Sequence, residues 1–145
     1  MTSFTVDASV HINALNPAEP GSAESQGFLD FLRRGNMSQV CPTLLIAEVA
    51  GALARAFDNH EESLAFALAV RNLPNVSLIP LDESLAVSAA ELAARYRLRG
   101  ADAVYAAVAQ RHQAVLVTND RQQLERLAIV LPVMPPAQAL SEYKE

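Results

Sequence analysis

The stretch Ala114-Val115-Leu116-Val117-Thr118-Asn119-Asp120 decides the fold class of this chain. A short apolar, β-rich run ends at Asn-Asp, which bounds a strand. Phe4–Val6, Gln39–Cys41 and Val76–Ile79 are three further runs of this kind, each bounded by Pro, Asn or Asp. Helical stretches separate them. Ser22–Arg34 is closed by Gly35, Thr43–Phe57 is rich in Ala and Leu, and Glu61–Arg71 stops before Pro74. Glu83–Leu98 has Asp82 as its N-cap and Gly100 just past its end, Ala101–His112 follows with almost no gap, and a short helix spans Arg121–Leu127. A last apolar run lies at Ile129–Val133; residues 16–21 read as a loop, and Pro132, Pro135 and Pro136 punctuate the tail. Strands alternating with helices predict an α/β layer fold with a mostly parallel central sheet flanked by helices.

With 145 residues the chain has the length of one domain, expected to run over residues 1–145. Hydrophobic residues make up 51% and charged residues 19%, which excludes intrinsic disorder and a low-complexity chain. Lys144 is the only lysine, so neither a P-loop nor a Schiff-base lysine is available. The single cysteine, Cys41, excludes an internal disulfide and any cysteine-cluster metal site. No basic leader and no apolar run of membrane-spanning length is present, and the expected location is cytoplasmic, with no membrane partner. The formal charge of -5 argues against sequence-independent coating of DNA, but it leaves nucleic acid open as a substrate.

Four carboxylates stand out. In open α/β sheets the ligand site lies outside the carboxyl ends of the strands. Asp7 directly follows the first strand and Asp120 comes two residues after Thr118, so both are aimed at that rim. Glu48 sits on or beside the apolar stripe of its helix, with Leu44, Leu45, Ala52 and Leu53 around it and no basic neighbour one turn away. A carboxylate there takes a proton, pairs with a cation or binds a metal. Asp102 lies in the first turn of a helix that is apolar nearly all round. Each acid alone also fits a cap, a turn or an ion pair. Converging in one cleft they would repel, and a divalent cation with oxygen ligands, Mg²⁺ or Mn²⁺, would relieve that.

Val6-Asp7-Ala8-Ser9, Ala47-Glu48-Val49, Arg99-Gly100-Ala101-Asp102-Ala103 and Val117-Thr118-Asn119-Asp120 together resemble the four acidic motifs of the PIN-domain nucleases, in that family's order and spacing. The resemblance covers the whole chain and is strongest to the VapC-type toxins of bacterial toxin–antitoxin pairs. It implies a Mg²⁺- or Mn²⁺-dependent endoribonuclease, often dimeric, held in check by a cognate antitoxin that covers the acidic cleft. Asp7, Glu48, Asp102 and Asp120 match the family's metal-binding, catalytic acids, and the hydroxyls of Ser9 and Thr118 match supporting positions. One or two metals would then hold the scissile phosphate, activate water and offset charge on the leaving oxygen.

Other residues carry weaker signals. His60-Glu61-Glu62-Ser63-Leu64 begins like a zinc-protease helix, but leucine stands where the second histidine belongs. His11 reads as exposed or capping, and Cys41 as a small buried hydrophobe. Arg95 and Arg99, four apart on one helix, are candidate RNA contacts, and Tyr105 reads as a core residue. A phospho-receiver would need an acid pair after the first strand and a late lysine; a haloacid-type phosphatase would need an acid where Ser9 stands. The rival that survives is a catalytically inactive PIN-like fold acting as a binding or scaffold module.

Overall fold

A computed structural model of the chain describes residues 1–144; Glu145, the last residue of the expected domain, lies outside them. The elements in chain order are β1 (Phe4–Val6), α1 (Ala8–Ala14), α2 (Ser22–Arg34), β2 (Gln39–Pro42), α3 (Leu44–Phe57), α4 (His60–Arg71), β3 (Val76–Ile79), α5 (Glu83–Tyr96), α6 (Gly100–Arg111), β4 (Val115–Val117), α7 (Arg121–Arg126), β5 (Val133–Met134) and α8 (Pro136–Tyr143). All five strands form one parallel sheet in the order β3-β2-β1-β4-β5. The α/β, mostly parallel reading therefore holds, and the sheet is parallel throughout.

The chain builds outward from β1 to β2 and β3 on one side, then crosses back to lay β4 and β5 on the other. The point where this order reverses lies between β1 and β4, paired in the register Phe4 with Val115, Thr5 with Leu116 and Val6 with Val117. Such switch points open a crevice at the carboxyl ends of the strands.

Strand alternation divides the core into two layers. Phe4, Val6, Val115 and Val117 face α2 and α8, together with Phe28, Leu32 and Ala139. Leu116 and Cys41 point the other way into a larger layer with Leu45, Val49, Leu85 and the nearly all-buried α6. Phe4 stands edge-on to Phe28 and to Tyr143, with ring centroids 5.6 and 5.3 Å apart. Cys41 is a buried free thiol, as expected, and burial pushes it up to about 12.

Differences from the sequence expectation have local causes. Helix α5 ends at Tyr96 rather than Leu98, because Arg97 takes a left-handed φ of 57° and caps it. Helix α1 is a two-turn element that its short, mixed sequence does not announce. Helix α8 starts at Pro136: a proline in the first helical turn costs no hydrogen bond, so the Pro135-Pro136 pair opens a helix instead of ending the fold. The last strand falls at Val133–Met134 and overlaps the apolar run Ile129–Val133 only at Val133.

His11 is the main reversal on this side of the molecule. It is buried, not exposed, its Nε2 has no hydrogen-bond partner, and burial lowers its pKa to about 4. The native state thus holds His11 neutral where the unfolded chain is protonated, between pH 4 and 6.5. Its contribution rises with pH across that window and is lost as pH falls. In urea titrations, the stability of the wild type relative to His11→Leu is expected to rise by about 3 kcal/mol from pH 4 to 6.5 and to stay flat above.

Candidate active site

The crevice at the switch point is a cavity of about 520 Å³ whose lining includes Asp7, Glu48, Asp102 and Asp120. Four separate elements deliver these acids. Asp7 follows β1 directly, Asp120 follows β4 and opens α7, Glu48 projects from the second turn of α3, and Asp102 from the first turn of α6. All four acids singled out in the sequence therefore reach one cleft. Ser9 lines it too, while Arg99 and Arg55 contribute the positive charge. Arg95 does not line it; its guanidinium pairs with Glu91 on the outer face of α5 at 3.2 Å.

Asp7 is the deepest of the acids, 6% exposed. It occupies the N-cap position of α1, yet its side chain makes no capping hydrogen bond there. Instead Oδ2 accepts from the Thr118 hydroxyl at 3.0 Å and from Gln123 Nε2 at 3.4 Å. The Thr118 oxygen in turn accepts from the Asp120 backbone N–H at 3.0 Å, and Ser9 Oγ accepts from the Asn119 N–H at 3.1 Å. Ser9 and Thr118 thereby fasten the loop after β4 onto the start of α1.

Asp120 serves two structures at once. Oδ1 caps α7 by accepting from the Gln123 N–H at 3.0 Å, and Oδ2 is held by the Arg99 guanidinium. Asp102 is similarly engaged: Oδ2 accepts from Arg99 Nε at 2.9 Å and Oδ1 from Gln123 Nε2 at 3.1 Å. Arg99, the residue just before α6, thus reaches across the mouth of the cleft and ties Asp102 to Asp120. Among the described residues no three metal-ligating side chains are gathered closely enough to hold one ion.

Burial dominates the electrostatics. It raises the pKa of Asp7, of Glu48 and of Asp102, in the last case despite the pairing with Arg99. The Tyr105 hydroxyl is buried near Glu48 without completing a hydrogen bond, and burial raises its pKa as well. With every group ionised, four carboxylates face two guanidiniums, a net of -2 on the lining. Oxygen donors with this surplus of negative charge suit a hard divalent cation, Mg²⁺ or Mn²⁺, better than zinc. The donor set fits; holding an ion requires Asp102 and Asp120 to exchange Arg99 for it.

Two site residues escaped the sequence reading. Gln123 is fully buried and its amide bridges Asp7 and Asp102. Its signal was there: Asp120-Arg121-Gln122-Gln123 has the spacing of a capping box, with a side chain able to reach back at the third helical position. The amide turns to the acids instead. Arg55 lies two turns after Glu48 on the same face of α3, a spacing beyond the one-turn window applied to Glu48.

With this geometry in place, comparison with known proteins assigns the fold. The chain belongs to the PIN domain family, matched over residues 4–130. No curated protein is similar enough in sequence to match. Among solved structures, the chain is similar to VapC20 of Mycobacterium tuberculosis, a toxin described as cleaving the sarcin–ricin loop: TM-score 0.71, 16% identity, covering 88% of this chain and 95% of that one. It is similar to FitAcB from Neisseria gonorrhoeae, at TM-score 0.68 and 20% identity, covering 92% and 97%. A toxin–antitoxin complex from Klebsiella pneumoniae gives TM-score 0.65 and 19% identity, covering 94% and 98%.

The raised pKa of Asp7 has a direct consequence for the metal-free protein. The native state keeps a proton there that the unfolded chain gives up above 3.8, so this residue's effect on stability becomes more unfavourable as pH rises. In EDTA, Asp7→Asn is expected to be more stable than the wild type at pH 7, since the amide removes a buried charge. Calorimetry should show the difference vanishing towards pH 3.8.

Proposed function

We propose that this chain is a Mg²⁺- or Mn²⁺-dependent endoribonuclease acting at Asp7, Glu48, Asp102 and Asp120, and the toxin of a toxin–antitoxin pair. The observation that carries this reading is the delivery of four carboxylates, from four different elements, to the one crevice where the sheet order reverses. Membership of the PIN domain family and the likeness to toxins of antitoxin pairs support a nuclease in such a system.

A divalent cation bound there would supply electrophilic stabilisation of the scissile phosphate and ease deprotonation of an attacking water. The chain's own residues do the positioning. Asp7, desolvated at the base of the cleft, has its Oδ2 bonded to Thr118 and Gln123, which restrains the carboxylate's rotation. Asp102 and Asp120 stand at helix starts, where aligned backbone N–H groups favour negative charge. Glu48 closes the α3 wall of the cleft. No protein nucleophile is called for: Cys41 is buried with its thiol pKa raised, and Ser9 Oγ is committed to Asn119.

For partners, the reading gives an RNA substrate, a cognate antitoxin and a second copy of the chain. The second copy rests on the resemblance to dimeric members of the family; the surface beside α5 and α6 carries an apolar groove lined by Leu44 of α3, Ala89, Ala93, Val104 and the exposed Leu81. Among the described residues no helix is long and apolar enough to cross a membrane.

One observation favours a second reading, the inactive binding module: Arg99 already neutralises Asp102 and Asp120, as a non-catalytic cleft would allow. A cleavage assay separates the two. The enzyme reading predicts cleavage of structured RNAs in Mg²⁺ that EDTA abolishes. Asp7→Asn and Asp102→Asn should each lower it at least about 100-fold, and Thr118→Val, which removes only a support, by about 10- to 100-fold. Cleavage that survives EDTA, or that persists in both aspartate variants, overturns the mechanism; no cleavage by the wild type favours the module.

A further inference from the structure

The cleft holds two guanidiniums with opposite circumstances. Arg99 is consumed by Asp102 and Asp120. Arg55 also lines the cavity and is exposed, yet among the described residues it makes no ion pair and no side-chain hydrogen bond. An unpaired cation beside four acids is an odd economy for a solvated surface, because Glu48 stands on the same face of the same helix.

Gly51 explains where the Arg55 side chain goes. It lies midway between Glu48 and Arg55 on α3 and lines the same cavity. A Cβ built on Gly51 would come within 3.3 Å of Arg55 Nη1. The guanidinium therefore lies back along the helix over Gly51, towards Glu48 and over the α3 wall of the cleft. Glycine inside a helix costs roughly 1 kcal/mol against alanine. Here its missing side chain leaves the space in which the guanidinium rests.

The ligand chemistry follows from charge. The metal-free lining is net negative and repels a phosphodiester until something positive meets it, and while it is paired with Asp102 and Asp120 Arg99 is not free to do so. Arg55 is, and its planar fork of N–H donors matches two oxygens of a phosphate. We propose that Arg55, resting over Gly51, is the residue that holds the RNA backbone phosphate in the cleft. This rests on the nuclease reading above.

The test measures RNA binding, not turnover. In an Asp7→Asn background with Mg²⁺ present, a fluorescein-labelled, mixed-sequence single-stranded oligoribonucleotide is titrated by anisotropy at several salt concentrations. Adding Arg55→Gln is expected to weaken binding about tenfold and to reduce the slope of log affinity against log salt by about 0.7, the loss of one phosphate contact. Arg55→Lys, which keeps the charge but not the fork, and Gly51→Ala, which crowds Nη1, should fall in between. Arg34→Gln, on the exposed end of α2, should leave both readouts unchanged. Circular dichroism should show α3 intact in the Gln variant, since glutamine is a good helix former. An Arg55→Gln protein that binds RNA no more weakly than Arg34→Gln overturns the inference. Failure of the Asp7→Asn parent itself to bind RNA removes the nuclease reading, and this inference with it.

Discussion

A carboxylate buried at the carboxyl end of the central strand is the constraint around which the site is arranged. Asp7 follows β1, and removing such a charge from water is costly unless donors are waiting for it. Those donors come from across the switch point: the Thr118 hydroxyl at the end of β4 and the Gln123 amide in α7. The pairing of β1 with β4 and the seating of α7 therefore have to be correct before Asp7 is tolerable. Gln123 extends the same network to Asp102, so α6 is drawn into register with both.

The second determinant is the balance of charge at the mouth. Arg99 spans Asp102 and Asp120 from an exposed position, with 67% of its side chain accessible. Ion pairs of that exposure contribute about 1 kcal/mol or less each. They are strong enough to order the cleft and weak enough to be exchanged for a more highly charged cation. The cleft is thus held in shape by its own guanidinium, in the same place where the family resemblance would seat a metal. Glu48 and Arg55 are untouched by this pairing, which leaves the α3 wall as the side on which a ligand meets unspent charge.

Much of this was legible in the sequence because it depends on short-range pattern. The β-rich runs bounded by Asn, Asp and Pro mark the strands, and their alternation with helices implies a parallel sheet. Asp7 and Asp120 stand out because each directly follows a strand end, and Asp102 because it opens an apolar helix. The less legible elements are those in which local preference is weak or points elsewhere. Helix α1 is too short to show a period, α8 hides behind two prolines that usually end structure, and His11 is buried by packing that no neighbour in sequence foretells.

By itself, then, the sequence determined which residues are acids at strand and helix ends, and hence the fold class and the rim on which chemistry could occur. Those are properties of neighbours a few positions apart. The tertiary structure alone decided how the acids are partnered. Arg99 meets Asp120 across 21 residues, Gln123 meets Asp7 across 116, and the break between α5 and α6 separates Arg95 from Arg99, so that only Arg99 reaches the cleft. The physical reason is that an ion pair or a buried hydrogen bond depends on distances of about 3 Å, and over such separations only the folded chain sets them.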